Sequence, residues 1–204
     1  MIKLSDRGNV VIISLSVFVF LLLINLQIVS FDEDFYFERF EVIDGFNIEE
    51  EFSKILYYVN GKDIELEEGF LNNKEIIHLK DVRGLFNLSK LLMWISGLSL
   101  VLFGVYYIKR FKVFLRGVKY GCYSLIIFIL LLLFLSFISF DAVFLNFHKI
   151  AFSNDLWLLN PLEDNLIKIL PQEIFEEIVK KLLLYSIVSS LIILCLVRVI
   201  KDRI

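Results

Sequence analysis

Apolar residues gather along this chain in four blocks, separated by two longer polar segments and one short one. The blocks cover residues 9–29, 88–108, 120–140 and 182–200, each close to the roughly 20 helical residues that cross a hydrocarbon core of about 30 Å. Between the first two blocks the period changes. The stretch FDEDFYFERFEVI (31–43) alternates aromatic and charged residues as a half-buried strand does, which predicts a strand there. A short helix is predicted after it: Asn47 is placed to cap it, Glu50 follows three residues on, and Ile48, Phe52, Ile55, Leu56 and Val59 form one apolar stripe that ends at Asn60-Gly61. That stripe needs a surface to cover, either the core of a small ectodomain or the lipid headgroups, and the ectodomain core is the commoner solution. After the third block the spacing of Asp141, Leu145, His148 and Phe152 puts them on one helical face if that helix runs past the bilayer. The segment PLEDNLIKIL (161–170) reads as a short amphipathic helix along the membrane surface, opened by Pro161 and stopped by Pro171.

The predicted fold is therefore an all-α integral membrane protein, with four transmembrane helices and a small mixed α+β extracytoplasmic insertion between helices 1 and 2. Its parts are a tail and first crossing (1–30), an extracytoplasmic segment (31–87), a second crossing (88–108), a basic loop (109–119), a third crossing (120–140), a second outer segment (141–181), and a last crossing with its tail (182–204). Composition agrees, since 58% of the 204 residues are hydrophobic, well above ordinary soluble usage. Lys3 and Arg7 before the first block resemble the start of a signal peptide, but a run of this length without a small-x-small cleavage site is expected to stay as an anchor.

Charge then orients the chain. Basic residues near helix ends stay in the cytoplasm, whereas acidic ones contribute little to topology. Lys3 and Arg7, then Lys109, Arg110, Lys112, Arg116 and Lys119, then Arg198, Lys201 and Arg203 all fall on one side if the chain crosses four times, so both termini are expected in the cytoplasm. The opposite side receives residues 31–90, which carry fifteen Asp or Glu against seven Lys or Arg. This is the composition of a solvated acidic ectodomain, with attraction of a cationic partner as the lesser alternative. Cys122 and Cys195 fall within helices and are expected to pack as small apolar groups, not as a disulfide framework or nucleophiles. No Gly-rich phosphate loop occurs, Gly117 and Gly121 only flank the basic turn, and no nucleic-acid role is expected of that turn.

Candidate chemistry rests on the chain's two histidines. His78 and Asp81 are three apart in NNKEIIHLKDVRGLF, so a helix or turn puts them on one face, and Arg83 follows two residues later. A carboxylate beside an imidazole fixes its tautomer and raises its basicity, although such a pair is more often a plain surface hydrogen bond. His148 lies in NFHKIAFSNDLWLLNP, on the same predicted side of the membrane, seven residues after Asp141 and ahead of Trp157, an amphipathic side chain suited to the interface.

The stretches HLKDVRGLF (78–86) and FHKIAF…DLWLLNPLEDNLIKILPQEIF (147–175), set between four hydrophobic spans, resemble Lit, the bacterial lipoprotein intramolecular transacylase family. Both histidines, the HL-x-DV core, the FH pair, the tryptophan, both prolines and the D-x-LI step beginning at Asp164 carry the resemblance. It implies an acyltransferase of the bacterial cytoplasmic membrane that acts at the extracytoplasmic face. Its partners would be diacylglyceryl-modified lipoproteins and membrane lipids, and it would use no cofactor and no metal. The implied reaction moves the sn-2 acyl chain of the diacylglyceryl-cysteine onto the α-amino group of the same cysteine. That amine has a reference pKa of about 7.7–8.0 and histidine one of about 6.5, so imidazoles suit both proton transfers near neutral pH. On this expectation His78 is the base, oriented by Asp81; Arg83 steadies the tetrahedral oxyanion or holds a nearby polar group; His148 is the acid or second oxyanion donor; and Asp141, Trp157 and Asp164 contact substrate. Two alternatives stay open: a metal-dependent hydrolase using His78, His148 and Asp81 or Asp141 as ligands, and a non-catalytic membrane protein that binds lipoproteins or a partner subunit.

Overall fold

A computed structural model describes residues 4–40 and 45–203. Seven α-helices are found there: α1 (Leu4–Ser30), α2 (Glu33–Phe37), α3 (Ile48–Val59), α4 (Asn73–Tyr106), α5 (Phe111–Ala151), α6 (Asn165–Ile169) and α7 (Gln172–Lys201), with a 3-10 turn at Ile108–Arg110. Four candidate spans, Asp6–Ser30, Asn73–Tyr106, Ile108–Ala151 and Gln172–Lys201, are long and apolar enough to cross a membrane, as the four blocks predict. The chain divides into two compact units, one made of residues 1–27, 90–135 and 180–204 and the other of residues 28–89 and 136–179.

In the first unit, helices are held by close backbone approach and by paired hydroxyls. A Cβ at Gly117 would come within 2.6 Å of Ile13, and one at Gly121 within 2.6 Å of Val17. The Ser14 hydroxyl donates to the Gly117 carbonyl at 3.0 Å. These two glycines therefore let α1 and α5 touch, a role the sequence reading, which placed them merely beside a basic turn, does not contain. Asn25 donates to the Leu21 carbonyl at 2.8 Å and the Ser189 hydroxyl at 3.1 Å, so its amide is satisfied inside an apolar bundle. At the start of α1, buried Asp6 pairs with Arg110 and accepts from the Tyr107 hydroxyl at 3.2 Å, and Asn9 donates to that same hydroxyl at 2.7 Å. Of the cysteines, Cys122 is buried as expected, whereas Cys195 is exposed on the outside of α7, within an apolar candidate span, and is not packed inside the protein.

The second unit has its own core, built from Tyr36, Phe52, Ile55, Leu56, Val59, Phe70, Leu79, Leu166, Ile169 and Ile174 among others. The predicted α3 is present. Asn47 caps it by accepting from the Glu50 N–H at 3.4 Å, and all five residues of the predicted stripe are buried in this core. Gly61, at φ +89°, ends it: the Lys62 N–H reaches back to the Tyr57 carbonyl and the Gly61 N–H to the Tyr58 carbonyl, closing a left-handed cap that favours glycine.

The mixed α+β insertion is not found. Among the described residues there is no strand, only an isolated bridge between Glu68 and Leu71, and 33–37 is a helix. The reason is local: with no neighbouring strand to take its N–H and C=O groups, this aromatic stretch satisfies them within a helical turn. The turn still buries rings, since Tyr36 and Phe40 pack on Phe52 with centroids 4.7 and 4.8 Å away. Residues 41–43 of the expected strand lie outside the described residues.

Two further elements depart from expectation. The helix predicted at 161–170 is shorter, Asn165–Ile169, because 160–164 forms turns whose N–H groups at Glu163 and Asp164 both return to the Asn160 carbonyl. Its Leu166 and Ile169 belong to the core of this unit. Helix α5 runs on to Ala151, meeting the condition under which Asp141, Leu145, His148 and Phe152 share a face, but it passes through an extended Ser139 (φ −163°, ψ 103°). The Ser139 hydroxyl accepts from the Ala142 N–H at 3.2 Å, so the helical segment carrying His148 restarts with its own N-cap.

Candidate active site

Both histidines lie in the second unit, and the fold brings them together. His78, one turn into α4, and His148, near the end of α5, are 7% and 8% exposed, with ring centroids 6.5 Å apart. Aromatic rings surround them. Phe152 packs on His78 at 5.0 Å and on His148 at 5.7 Å, Phe144 on His148 at 4.3 Å, Phe147 at 5.4 Å, and Trp157 lies over His148 at 5.1 Å with the rings 31° from parallel. The helical period explains two of these contacts, Phe144 on His148 and His148 on Phe152: the three residues are spaced four apart and so share one face.

Hydrogen bonding distinguishes the two imidazoles. His148 Nδ1 lies 2.8 Å from the Phe144 carbonyl oxygen, which can only accept, so Nδ1 carries the proton and Nε2 keeps the lone pair. His78 Nδ1 is buried with no hydrogen-bond partner among the described residues. A buried polar atom left without a protein partner costs stability unless something else satisfies it, which marks this atom as open to a ligand.

The other predicted site residues are placed as follows. Asp81 is bonded not to His78 but to Asn154, whose Nδ2 donates to it at 2.9 Å. Arg83 lies over the Tyr58 ring at 4.6 Å and donates to the Gly61 carbonyl at 3.4 Å, so it braces α3 and has no contact with either imidazole. Asp141 is exposed and accepts from Gln172 at 2.6 Å; it shares helical spacing with His148 but not its burial. Trp157 is at the site, as the wall over His148. Asp164, expected to contact substrate, is a buried structural carboxylate: it accepts from Asn72 at 2.6 Å and the Asn160 N–H at 2.6 Å, and Lys74 lies 3.5 Å away. Burial alone would raise its pKa, but the Asn160 N–H, the Asn72 amide and the Lys74 ammonium outweigh it and hold the carboxyl below its ordinary value. Among the described residues no three His, Cys, Asp or Glu side chains approach closely enough to share a metal ion.

Two residues next to the site escaped the sequence reading. Glu75, fully buried one turn before His78, accepts from the Asn72 N–H at 2.7 Å while the Asn72 side chain accepts from the Glu75 N–H at 3.1 Å. This is a capping box, and the spacing N-x-x-E in NNKE was its signal. Asn154 carried no signal, because its partner is 73 residues away in sequence.

The model of the family described as lipoprotein intramolecular transacylase Lit matches residues 10–175. The chain belongs to the Lit family. Members of this family are acyltransferases, and the four apolar helices suit an integral membrane enzyme. A solved structure of the membrane integral lipoprotein intramolecular transacylase Lit from Bacillus cereus is similar over 98% of this chain and 98% of that one, at 26% identity and a TM-score of 0.82. Two variants of that Lit protein also match. One, in which a histidine is replaced by arginine, covers 98% of this chain and 94% of its own, at 25% identity and a TM-score of 0.76. The other, with alanine in place of a histidine, covers 98% and 96%, at 26% identity and a TM-score of 0.75. No curated protein matches this Lit chain by sequence.

Proposed function

We propose that this enzyme moves the sn-2 acyl chain of a diacylglyceryl-cysteine lipoprotein to the α-amino group of that cysteine, with His148 as the base that then returns the proton to the leaving oxygen and His78 as the donor that meets the developing oxyanion. The observation that carries this reading is the asymmetry of the imidazole pair: Nδ1 of His148 is committed to the Phe144 carbonyl, while Nδ1 of His78 has no hydrogen-bond partner among the described residues. The roles are thus exchanged relative to the sequence expectation, and Arg83 drops out.

The amine nitrogen attacks the ester carbonyl carbon, and His148 Nε2 takes its proton as the N–C bond forms. A donor at His78 Nδ1 stabilises the tetrahedral oxyanion. When that intermediate collapses, the sn-2 C–O bond breaks and the glycerol oxygen receives the proton from the imidazolium. One N–H is exchanged for one O–H and no co-reactant is consumed. Amine and ester belong to one molecule, so much of the rate enhancement comes from holding them in an attack geometry; well-oriented intramolecular reactions reach effective molarities of about 10⁵–10⁸ M. Rings on several sides of His148 exclude water from the reacting atoms.

The site is read as facing away from the cytoplasm in a bacterial cytoplasmic membrane. The three basic clusters support this orientation, and the pairing of Asp6 with Arg110 supports placing the start of α1 and the basic loop on one side. Mass spectrometry of a lipoprotein's N-terminal peptide, from cells expressing the chain and cells lacking it, tests the reading. The acyl group is expected on nitrogen only when the chain is present; an acyl chain that stays on glycerol in both overturns it.

A further inference from the structure

We infer that Asn154 is a positioning residue: with Asp81 it forms a latch that holds the loop carrying the aromatic wall of His148 against the helix carrying His78. The inference rests on the reading that these two histidines perform the transfer.

Both ends of the Asn154 amide are used. Its Nδ2 donates to Asp81 at 2.9 Å and its Oδ1 accepts from the Leu156 N–H at 3.1 Å, so one side chain shapes the turn of its own loop and ties that turn to α4. A second tie lies on the other side of His78, where Lys74 donates to the Leu158 carbonyl at 2.6 Å. Lys74 and Asp81 stand four residues before and three after His78 and share its helical face, so the loop is pinned to α4 on both sides of the imidazole. The pinned loop carries Phe152, which packs on both imidazoles, and Trp157, which lies over His148.

The latch also determines what Asp81 does not do. A carboxylate bonded to His78 would hold the imidazole proton; bonded to Asn154 instead, it leaves His78 Nδ1 for the substrate. A displacement of about 1 Å in a positioned group can cost on the order of 10²-fold in rate, so the latch acts on turnover through geometry.

Three forms of the full-length protein in lipid-detergent micelles, with a synthetic diacylglyceryl-cysteine lipopeptide as substrate, test this: wild type, Asn154→Asp, and the exchange Asp81→Asn with Asn154→Asp. Thermal midpoints are measured beside kcat and KM. Asn154→Asp sets two carboxylates against each other and is expected to lower kcat about 10²-fold, with KM within about threefold of wild type. In the exchange, the new carboxylate at 154 still accepts from the Leu156 N–H and receives the new amide at 81, so kcat is expected within about tenfold of wild type. A wild-type kcat for Asn154→Asp overturns the latch, as does an exchange variant that keeps the wild-type midpoint but is no more active than Asn154→Asp. If Asn154→Asp does not fold, the exchange variant decides against wild type: a wild-type midpoint with kcat lowered about 10²-fold or more overturns the latch. His148→Ala is run alongside: full activity there overturns the underlying histidine reading, whereas an inactive His148→Ala beside an inactive, folded exchange variant overturns the latch only.

Discussion

Glu75 accepts a hydrogen bond from the backbone N–H of Leu166 at 2.6 Å, across 91 residues of sequence. The same carboxylate accepts from the Asn72 N–H at 2.7 Å, so it caps the start of its own helix and the start of α6. It is fully buried, and both of its oxygens are used. A side chain in this position ties the beginning of the His78 helix to the segment that follows Trp157.

Replacing Glu75 by Ala leaves the buried Leu166 N–H without an acceptor, and frees the Asn72 N–H at an exposed residue where water can take its place. Leaving one buried N–H unsatisfied costs about 1–3 kcal/mol, so a fall of about that size in stability is expected, seen as a clear drop in Tm of the purified protein in micelles. Glu75→Gln keeps one acceptor oxygen and is expected to fall between wild type and Glu75→Ala. An unchanged Tm for Glu75→Ala means the double cap does not support the fold.

His148→Ala removes the proposed proton carrier and His78→Ala the proposed oxyanion donor. General acid-base groups contribute roughly 10²–10⁴-fold and a single oxyanion donor roughly 10²–10³-fold, so transfer of the acyl chain to nitrogen is expected to fall by those orders while the protein remains folded. The check is peptide mass spectrometry after timed incubation, normalised to protein recovered. Full turnover by His148→Ala contradicts its role as base.

Much of this was legible in the sequence, and the parts that were not share a cause. The four apolar blocks, the capped stripe of α3 and the two histidines depend on local period or on topology, and the fold contains each of them. The aromatic alternation at 31–43 failed because a short run in which Phe35, Tyr36 and Phe40 are the residues needing cover fits a helical turn as well as a strand, and only a pairing partner decides between them. Asp81 was assigned to His78 because they share a helical face. A loop from beyond α5 brings Asn154 to it instead, and no local spacing announces such a partner. Gly117 and Gly121 looked like turn residues beside basic ones, yet their lack of a side chain is needed by α1.

That need gives a prediction with an internal control. Gly117→Leu places a side chain where Ile13 already lies 2.6 Å from the Cβ position, with the Val10 carbonyl 3.3 Å away. Overpacking of this kind costs about 1–3 kcal/mol or more, and size-exclusion chromatography in detergent is expected to show loss of the folded monodisperse peak. At Gly104 the nearest atoms, of Phe114, are 3.8 and 3.9 Å from the Cβ position, so Gly104→Ala is expected to run as wild type. Equal behaviour of the two variants removes the case for a close α1–α5 contact.

The acid limb of stability should trace to Asp164. Its carboxyl is held below its ordinary value despite burial, by the Asn160 N–H, the Asn72 amide and Lys74. A group whose folded pKa is lower than its unfolded one stabilises the fold fully above the unfolded pKa, about 3.9 for Asp, and loses that contribution as pH falls through the folded pKa. The protein is therefore expected to lose stability as pH drops below about 4. Asp164→Asn is expected to be less stable at neutral pH, because the charged acceptor is gone, and to show a shallower fall in Tm across the acid range. Parallel Tm curves for wild type and Asp164→Asn between neutral pH and pH 3 would show that this carboxylate is not what acid disrupts.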